Sequence, residues 1–199
     1  MKKGVVFEAE DRNELLRCAK LMDEFGLTGC IKGAGDEYAR VAAIRLLGRP
    51  LIIPTHLPDA YDVEDPYDAL EVPLHNLQHW ALAPQNAAIL DSAGVMFAFT
   101  SYGRKDLTDL WKDLRRMVAC GLDSARAIDA LTMEPARLCG IEHQVGALRT
   151  GMLANFIVST KHLLNEKNEI LETWVGGEQF IQKEHELPLL AGTYEVILP

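Results

Sequence analysis

The side chains with chemistry to offer are six histidines, four cysteines and a tyrosine placed where an apolar run opens into a polar loop. His56 stands in "PTHLP", directly after the apolar run "LII". A histidine at a strand end can ligate a metal or move a proton near neutral pH, which makes His56 the best single ligand or acid/base candidate. His75 and His79 are four residues apart, a spacing that sets two rings on one side of a helix. No "HExxH" surrounds them, and Leu77 with Trp80 makes ordinary packing the expectation. His143, His162 and His185 fall in loop-like or β-rich segments and read as surface residues. Cys18, Cys30, Cys120 and Cys139 have no CxxC spacing. Each lies in an apolar segment, so the expectation is four small buried thiols in a reducing compartment, with neither a zinc cluster nor a disulfide frame. "GAG" at 33–35 lacks the further glycine and acidic partner of a dinucleotide fold, and no Gly-x-Ser-x-Gly elbow occurs. Tyr102 ends the stretch "GVMFAFTSY". Its phenol, with an ordinary pKa of about 10, is a poor metal base at neutral pH.

These residues need elements to hold them. The pattern "GVVFEA", "DRNELLRCAKLMDEFG", "LTGCIKG", "AGDEYARVAAIRLLG", "RPLIIPTHLP" reads as β-α-β-α-β, with Gly26 and Gly48 as helix stops and prolines closing the third strand. Short connections of this kind imply parallel strands joined by right-handed crossovers. Residues 57–73 are acidic and contain prolines, and read as a long ordered loop. Pro84 breaks the next helical stretch in two. After a fourth strand, Leu107, Leu110, Trp111, Leu114, Met117 and Val118 form one stripe of an amphipathic helix. Its charged residues, Asp109, Lys112, Asp113, Arg115 and Arg116, read as a solvated face. A further helix follows with Ser124 near its N-cap, then a short one after Pro135. From about residue 145 the texture becomes β-rich, with Gly176-Gly177 as a hairpin signal and "AGTYEVILP" as a last apolar strand.

Bulk properties exclude some classes. Apolar residues make up 48% and charged residues 25%, an ordinary globular balance. A net charge of −9 argues against a nucleic-acid surface, which needs clustered Lys and Arg. No apolar run reaches the roughly 18–20 residues that span a bilayer, and the start "MKKGVVFEAEDRNELL" lacks the apolar core of a secretory signal. Cytoplasmic localisation, with no membrane and no nucleic-acid partner, is the expectation.

Residues 131–158, "LTMEPARLCGIEHQVGALRTGMLANFIV", resemble the C-terminal signature of the amidohydrolase superfamily. The matching positions are Thr132, Pro135-Ala136, Gly140, Val145-Gly146, Leu148, Gly151, Ala154-Asn155-Phe156 and Val158. "TWVGGEQF" is similar to the closing strand of that family, and residues 9–54 resemble its imidazolonepropionase-like and prolidase-like branch. The resemblance implies an α/β fold: the C-terminal half of a (β/α)8 TIM-like barrel plus part of a small β-sandwich. It divides the chain into 1–144, strands five to eight with their helices; 145–183, strands of a composite sandwich; and 184–199, a further β segment or tail. It also implies a partner, either a missing N-terminal barrel half or a second copy of the chain that completes the barrel in trans.

In that family a divalent, zinc-like metal sits at the C-terminal mouth of the barrel, where it lowers the pKa of a bound water. Histidines of strands five and six and an aspartate of strand eight hold it. The resemblance sets these positions at or beside Glu8, at Lys32 or Gly33, and at Tyr102. Glu8, His56 and Tyr102 are therefore the barrel-mouth candidates for catalysis. No metal ligand set and no cofactor is expected from this half. A Glu8–Lys32 ion pair on neighbouring strands is the expected infill, with a new acid/base pair as the other reading. The function expected is that of an amidohydrolase-related protein whose usual metal site is lost in this half. The alternative is an active metal-dependent hydrolase of a C–N bond with ligands supplied elsewhere.

Overall fold

A computed structural model describes residues 4–104, 107 and 109–183 of the chain. The β-branched and aromatic run Val5–Glu8 forms strand β1. Helix α1 (Arg12–Glu24) starts where the Asp11 carboxylate accepts the N–H groups of Asn13 and Glu14 at 2.6 and 2.8 Å, and stops before Gly26, whose φ is +60°. Strand β2 (Gly29–Lys32) follows, then a 3-10 turn (Glu37–Arg40), α2 (Val41–Leu46) and β3 (Leu51–Pro54). Next come α3 (Pro66–Glu71), α4 (Leu74–Leu82), a 3-10 turn (Ala83–Gln85), α5 (Asn86–Ser92) and β4 (Phe97–Thr100). The four strands make one parallel sheet in chain order, as short crossovers require. Helices α6 (Leu110–Ala119), α7 (Ser124–Leu131) and α8 (Met133–Cys139) complete this unit. Strands β5 (Phe156–Ser159), β6 (Ile170–Val175) and β7 (Glu178–Ile181) form a separate antiparallel sheet, with Gly176-Gly177 turning the β6–β7 hairpin.

Register decides which side chains share a face. Phe7, Ile31, Leu51 and Phe97 are successive partners across the sheet and face the helices. There they join Leu15, Met22, Ile44, Leu90 and Leu114 in the core. Glu8, Lys32, Ile52 and Ala98 are the next row and face the other way, because neighbouring residues of a strand alternate sides. This second face is open at Val6 and Met96, 64% and 45% exposed, while Cys30 and Ala98 on it are buried and Arg137 and Leu138 of α8 lie beside Cys30 and Met96.

Several local expectations are corrected. Pro54 belongs to β3 rather than ending its pairing: the strand still pairs with β4 there, and the N–H of Thr55 bonds Thr100 O at 2.9 Å. The helix expected over 34–48 is a 3-10 turn followed by a short α2. The loop expected over 57–73 contains α3, begun by Asp65 accepting the Tyr67 N–H with Pro66 at the first helical position. Leu107 lies outside α6 and is exposed. Asp123, not Ser124, caps α7. Helix α8 starts at Met133, before Pro135, which fits in a first turn whose N–H groups have no helical partner anyway. Of the β-rich run before residue 160 only Phe156–Ser159 is strand. The final strand expected in "AGTYEVILP", and with it the 184–199 segment, lies outside the described residues.

Candidate functional site at the mouth of the parallel sheet

The C-terminal ends of β1 and β2 bring Glu8 and Lys32 side by side in register, and the Lys32 ammonium donates to the Glu8 carboxylate. Tyr102 lies two residues beyond β4, and its ring is 4.2 Å from Lys32 Nζ, a cation–π distance. One ammonium is thus held between a carboxylate and an aromatic face. Tyr102 is positioned by its own N–H, which donates to Thr100 Oγ1 at 3.1 Å. Three residues drawn from three segments of the chain meet here, as their strand-end positions require.

His56 points elsewhere. It is exposed, and its Cε1 lies close to the position a side chain on Gly103 would take. No hydrogen bond joins it to Glu8, Lys32 or Tyr102. The loops after β3 and β4 are locked beside it by Arg104, which donates to Thr55 Oγ1 and O at 3.3 and 3.1 Å and to the Asp113 carboxylate. Asp113 is therefore not part of a solvated helix face. Nor is Arg116, whose guanidinium stacks 5.0 Å from the centre of the Trp80 ring. His79 Nδ1 lies 3.1 Å from Tyr38 OH and its ring stacks on Tyr38, while His75 is exposed. The two histidines line one cavity, but among the described residues no metal-holding group includes them. His143 and His162 are exposed, as expected of surface residues, and His185 lies outside the described residues. The cysteine expectation holds in half: Cys18 and Cys30 are buried, and burial raises both thiols above their usual range. Cys120 is half-buried and Cys139 is exposed.

On the helix side of the same strand ends sits a group that sequence reasoning did not single out. Glu37 is fully buried, its carboxyl accepting from the Gly35 N–H at 3.1 Å and from Asn86 Nδ2 at 2.5 Å. Asn86 Oδ1 in turn accepts the Tyr38 N–H at 2.7 Å. Burial holds the Glu37 carboxyl above the usual carboxylate range, against the pull of these donors. A side-chain carbon on Gly33 would fall on the Glu37 carboxyl, so this glycine is required. The glycines of "GAGDE" were the available signal: they make room for a carboxylate rather than for a phosphate.

The model of the amidohydrolase family matches residues 81–180 of the 199, half of the chain. The chain belongs to the amidohydrolase family. Similar solved structures include an amidohydrolase from Thermotoga maritima MSB8, at a TM-score of 0.73 and 18% identity, covering 91% of this chain and 44% of that one. A prolidase solved with N-methylphosphonate-L-proline has a TM-score of 0.62 at 16% identity, with 89% and 45% covered. A Xaa-Pro dipeptidase solved with methionine in its active site has a TM-score of 0.62 at 18% identity, also with 89% and 45% covered. No curated protein matches. The amidohydrolase-family chain thus spans less than half the length of these solved structures. Its fold is that of part of a TIM-like barrel with a small antiparallel sheet.

The family implies a divalent metal at this mouth, and the residues here do not fit one. An amine ligates only when unprotonated, and the Lys32 ammonium is already engaged by a carboxylate and a π face. A positive charge at that point repels a divalent ion, and the one carboxylate present is already engaged. Among the described residues no three His, Cys, Asp or Glu side chains are grouped to hold a metal ion.

Proposed function

We propose that this chain is the scaffold or binding half of an amidohydrolase-type barrel, with a Glu8–Lys32 ion pair standing where relatives of the family hold their metal. The observation that carries this reading is the Lys32 ammonium, fixed between the Glu8 carboxylate and the Tyr102 ring. The same reading divides the chain into a barrel part over residues 1–144 and sandwich strands over 145–183, and assigns the partly uncovered sheet face to a complementary barrel half. The relatives suggest small molecules or peptides with an amide or C–N bond as what the whole protein meets, since a prolidase and a Xaa-Pro dipeptidase share the fold. In this half, Glu8 and Tyr102 line the mouth and would bind or orient such a molecule without activating water, with His56 on the loop beside Gly103 as the flanking candidate.

The test is metal content by elemental mass spectrometry after incubation with zinc and desalting. It compares the wild type with a triple variant, Glu8→His, Lys32→His and Tyr102→Asp, which restores the family's donor types. Near-zero zinc in the wild type and close to one ion per chain in the variant are expected. One tightly held ion in the wild type that is lost in Glu8→Gln would overturn the reading in favour of an active metal-dependent hydrolase.

A further inference from the structure

The crossover between β3 and β4 carries a surface that the reading above does not use. In α4 the half-buried residues include Asn76, His79 and Trp80, while Leu74, Leu77 and Leu82 are exposed. An amphipathic helix ordinarily does the opposite and turns its leucines inward. The orientation is fixed from within: His79 bonds and stacks on Tyr38, and Trp80 lies against the Arg116 guanidinium. In α3, Tyr67 and Leu70 are 79% and 82% exposed. Tyr67 and Leu70 stand one turn apart on α3, as do Leu74 and Leu77 on α4, so each helix shows water a short apolar ridge. Only Val72 and Pro73 separate the two helices. Large apolar side chains gathered in one exposed segment mark an interaction surface.

Charge selects the occupant. Asp59, Asp62, Glu64, Asp65, Asp68 and Glu71 are all exposed in the same segment, and no Lys or Arg occurs from residue 50 to residue 103. A second copy presenting the same face would set these acids against their own like charges. An anionic membrane surface is repelled in the same way. Residues 184–199 of this chain carry three glutamates and no Lys or Arg, so they match the surface no better. A partner with positive charge flanking an apolar stripe fits both features.

We propose that α3 and α4 dock a basic amphipathic helix of a partner protein, with its apolar stripe on Tyr67, Leu70, Leu74 and Leu77 and its Lys or Arg flanks among the acids. The ridges supply the burial, and the acids supply the choice of partner and the speed of encounter. Helix α4 packs against the turn before α5, on the helix side of the sheet and opposite the Val6–Met96 face. The proposal therefore does not rest on a complementary barrel half.

The test uses the whole 199-residue chain and a labelled leucine–lysine peptide of two heptads, amphipathic when helical, titrated by fluorescence anisotropy and by NMR. Two control peptides have glutamate in place of lysine, or the same residues in an order without an apolar face. Saturable binding of the first peptide is expected, at least about tenfold tighter than either control, weaker as salt rises, and with amide shifts in residues 59–82. Leu70→Ser with Leu74→Ser removes the ridges and keeps the charge, at two positions outside the core. Glu64→Gln with Asp68→Asn and Glu71→Gln removes charge and keeps the ridges. Each variant is expected to lose about tenfold in affinity. No saturable binding at about 100 μM peptide, equal affinity for either control, or unchanged binding in either variant overturns the proposal. Dimerisation of the chain, or binding to phosphatidylserine vesicles, that Leu70→Ser with Leu74→Ser abolishes would also overturn it, giving the surface to a second copy or to a membrane.

Discussion

A buried carboxyl and a half-exposed ion pair behave differently as side chains, although both stand at the same strand ends. The Glu8 side chain is over half exposed, so its pairing with Lys32 is screened by water. Replacing either with a neutral side chain, Glu8→Gln or Lys32→Met, should change stability by no more than about 1 kcal/mol in urea unfolding. A loss several times larger would mean that the pair is sealed from solvent in the intact protein. Glu37 is sealed already, and burial raises its pKa in the folded state. The native state therefore holds its proton where the unfolded chain has released it, and stability falls as pH rises from the ordinary carboxylate value through the raised one. Comparing urea unfolding of wild type and Glu37→Gln across pH should show this loss in the wild type alone. The amide faces Asn86 Nδ2 poorly, so the variant should also be less stable by about 1–3 kcal/mol at low pH. Parallel slopes in the two proteins would contradict the burial argument. Thiol labelling offers a further check at this scale: Cys139 should react first, and Cys18 and Cys30 only on unfolding.

Among the elements, β4 and the helices after it are tied by one guanidinium. Arg126 of α7 donates to Asp91 at 2.9 Å and Glu134 at 3.2 Å, reaches Phe97 O at 3.4 Å, and lies 4.5 Å from the centre of the Phe97 ring. Glu134 is buried, with Arg137 as its other partner. Arg126→Met should cost about 3 kcal/mol or more, because it leaves a buried carboxylate half-compensated. A change below about 1 kcal/mol by thermal or urea unfolding would show that Arg137 suffices. The β1–β2 pair has a comparable weak point in Gly29, where φ is +150° and a side-chain carbon would fall on Val5 O. Here the sheet requires the glycine, and an alanine would break the pairing of the edge strand.

For the whole molecule the partly uncovered sheet face decides the behaviour. Two parallel-sheet edges and, on the face opposite the main helical layer, Val6 and Met96 lie open, although Cys30 and Ala98 between them are buried. Parallel sheets are normally covered on both sides. If a complementary barrel half covers this face, a charge introduced there is harmless only when that half is absent. Val6→Lys should thus leave the melting of the 199-residue chain unchanged but lower that of the completed barrel by several degrees. Equal melting shifts in both would mean that the face stays open to water.

Much of this was legible in the linear sequence because the signals are local. The alternation of short apolar runs with amphipathic helices set the parallel sheet, Gly26 set the end of α1, and the run from Thr132 to Val158 set the family. Strand parity alone made Glu8 and Lys32 neighbours on one face. The sequence had no means of showing that Tyr102 would lie over Lys32, that Asp113 would turn inward to Arg104, or that His79 would meet Tyr38 rather than His75. Nor did it show Glu37 and Asp36 buried beside Asn86 and Arg12, since acidic residues in a glycine-rich loop ordinarily face water. Those contacts join residues 9 to 70 positions apart and depend on how loops fold back over the strand ends. Periodicity and turn chemistry act within a few residues, whereas burial and side-chain pairing are settled only when the whole chain has packed.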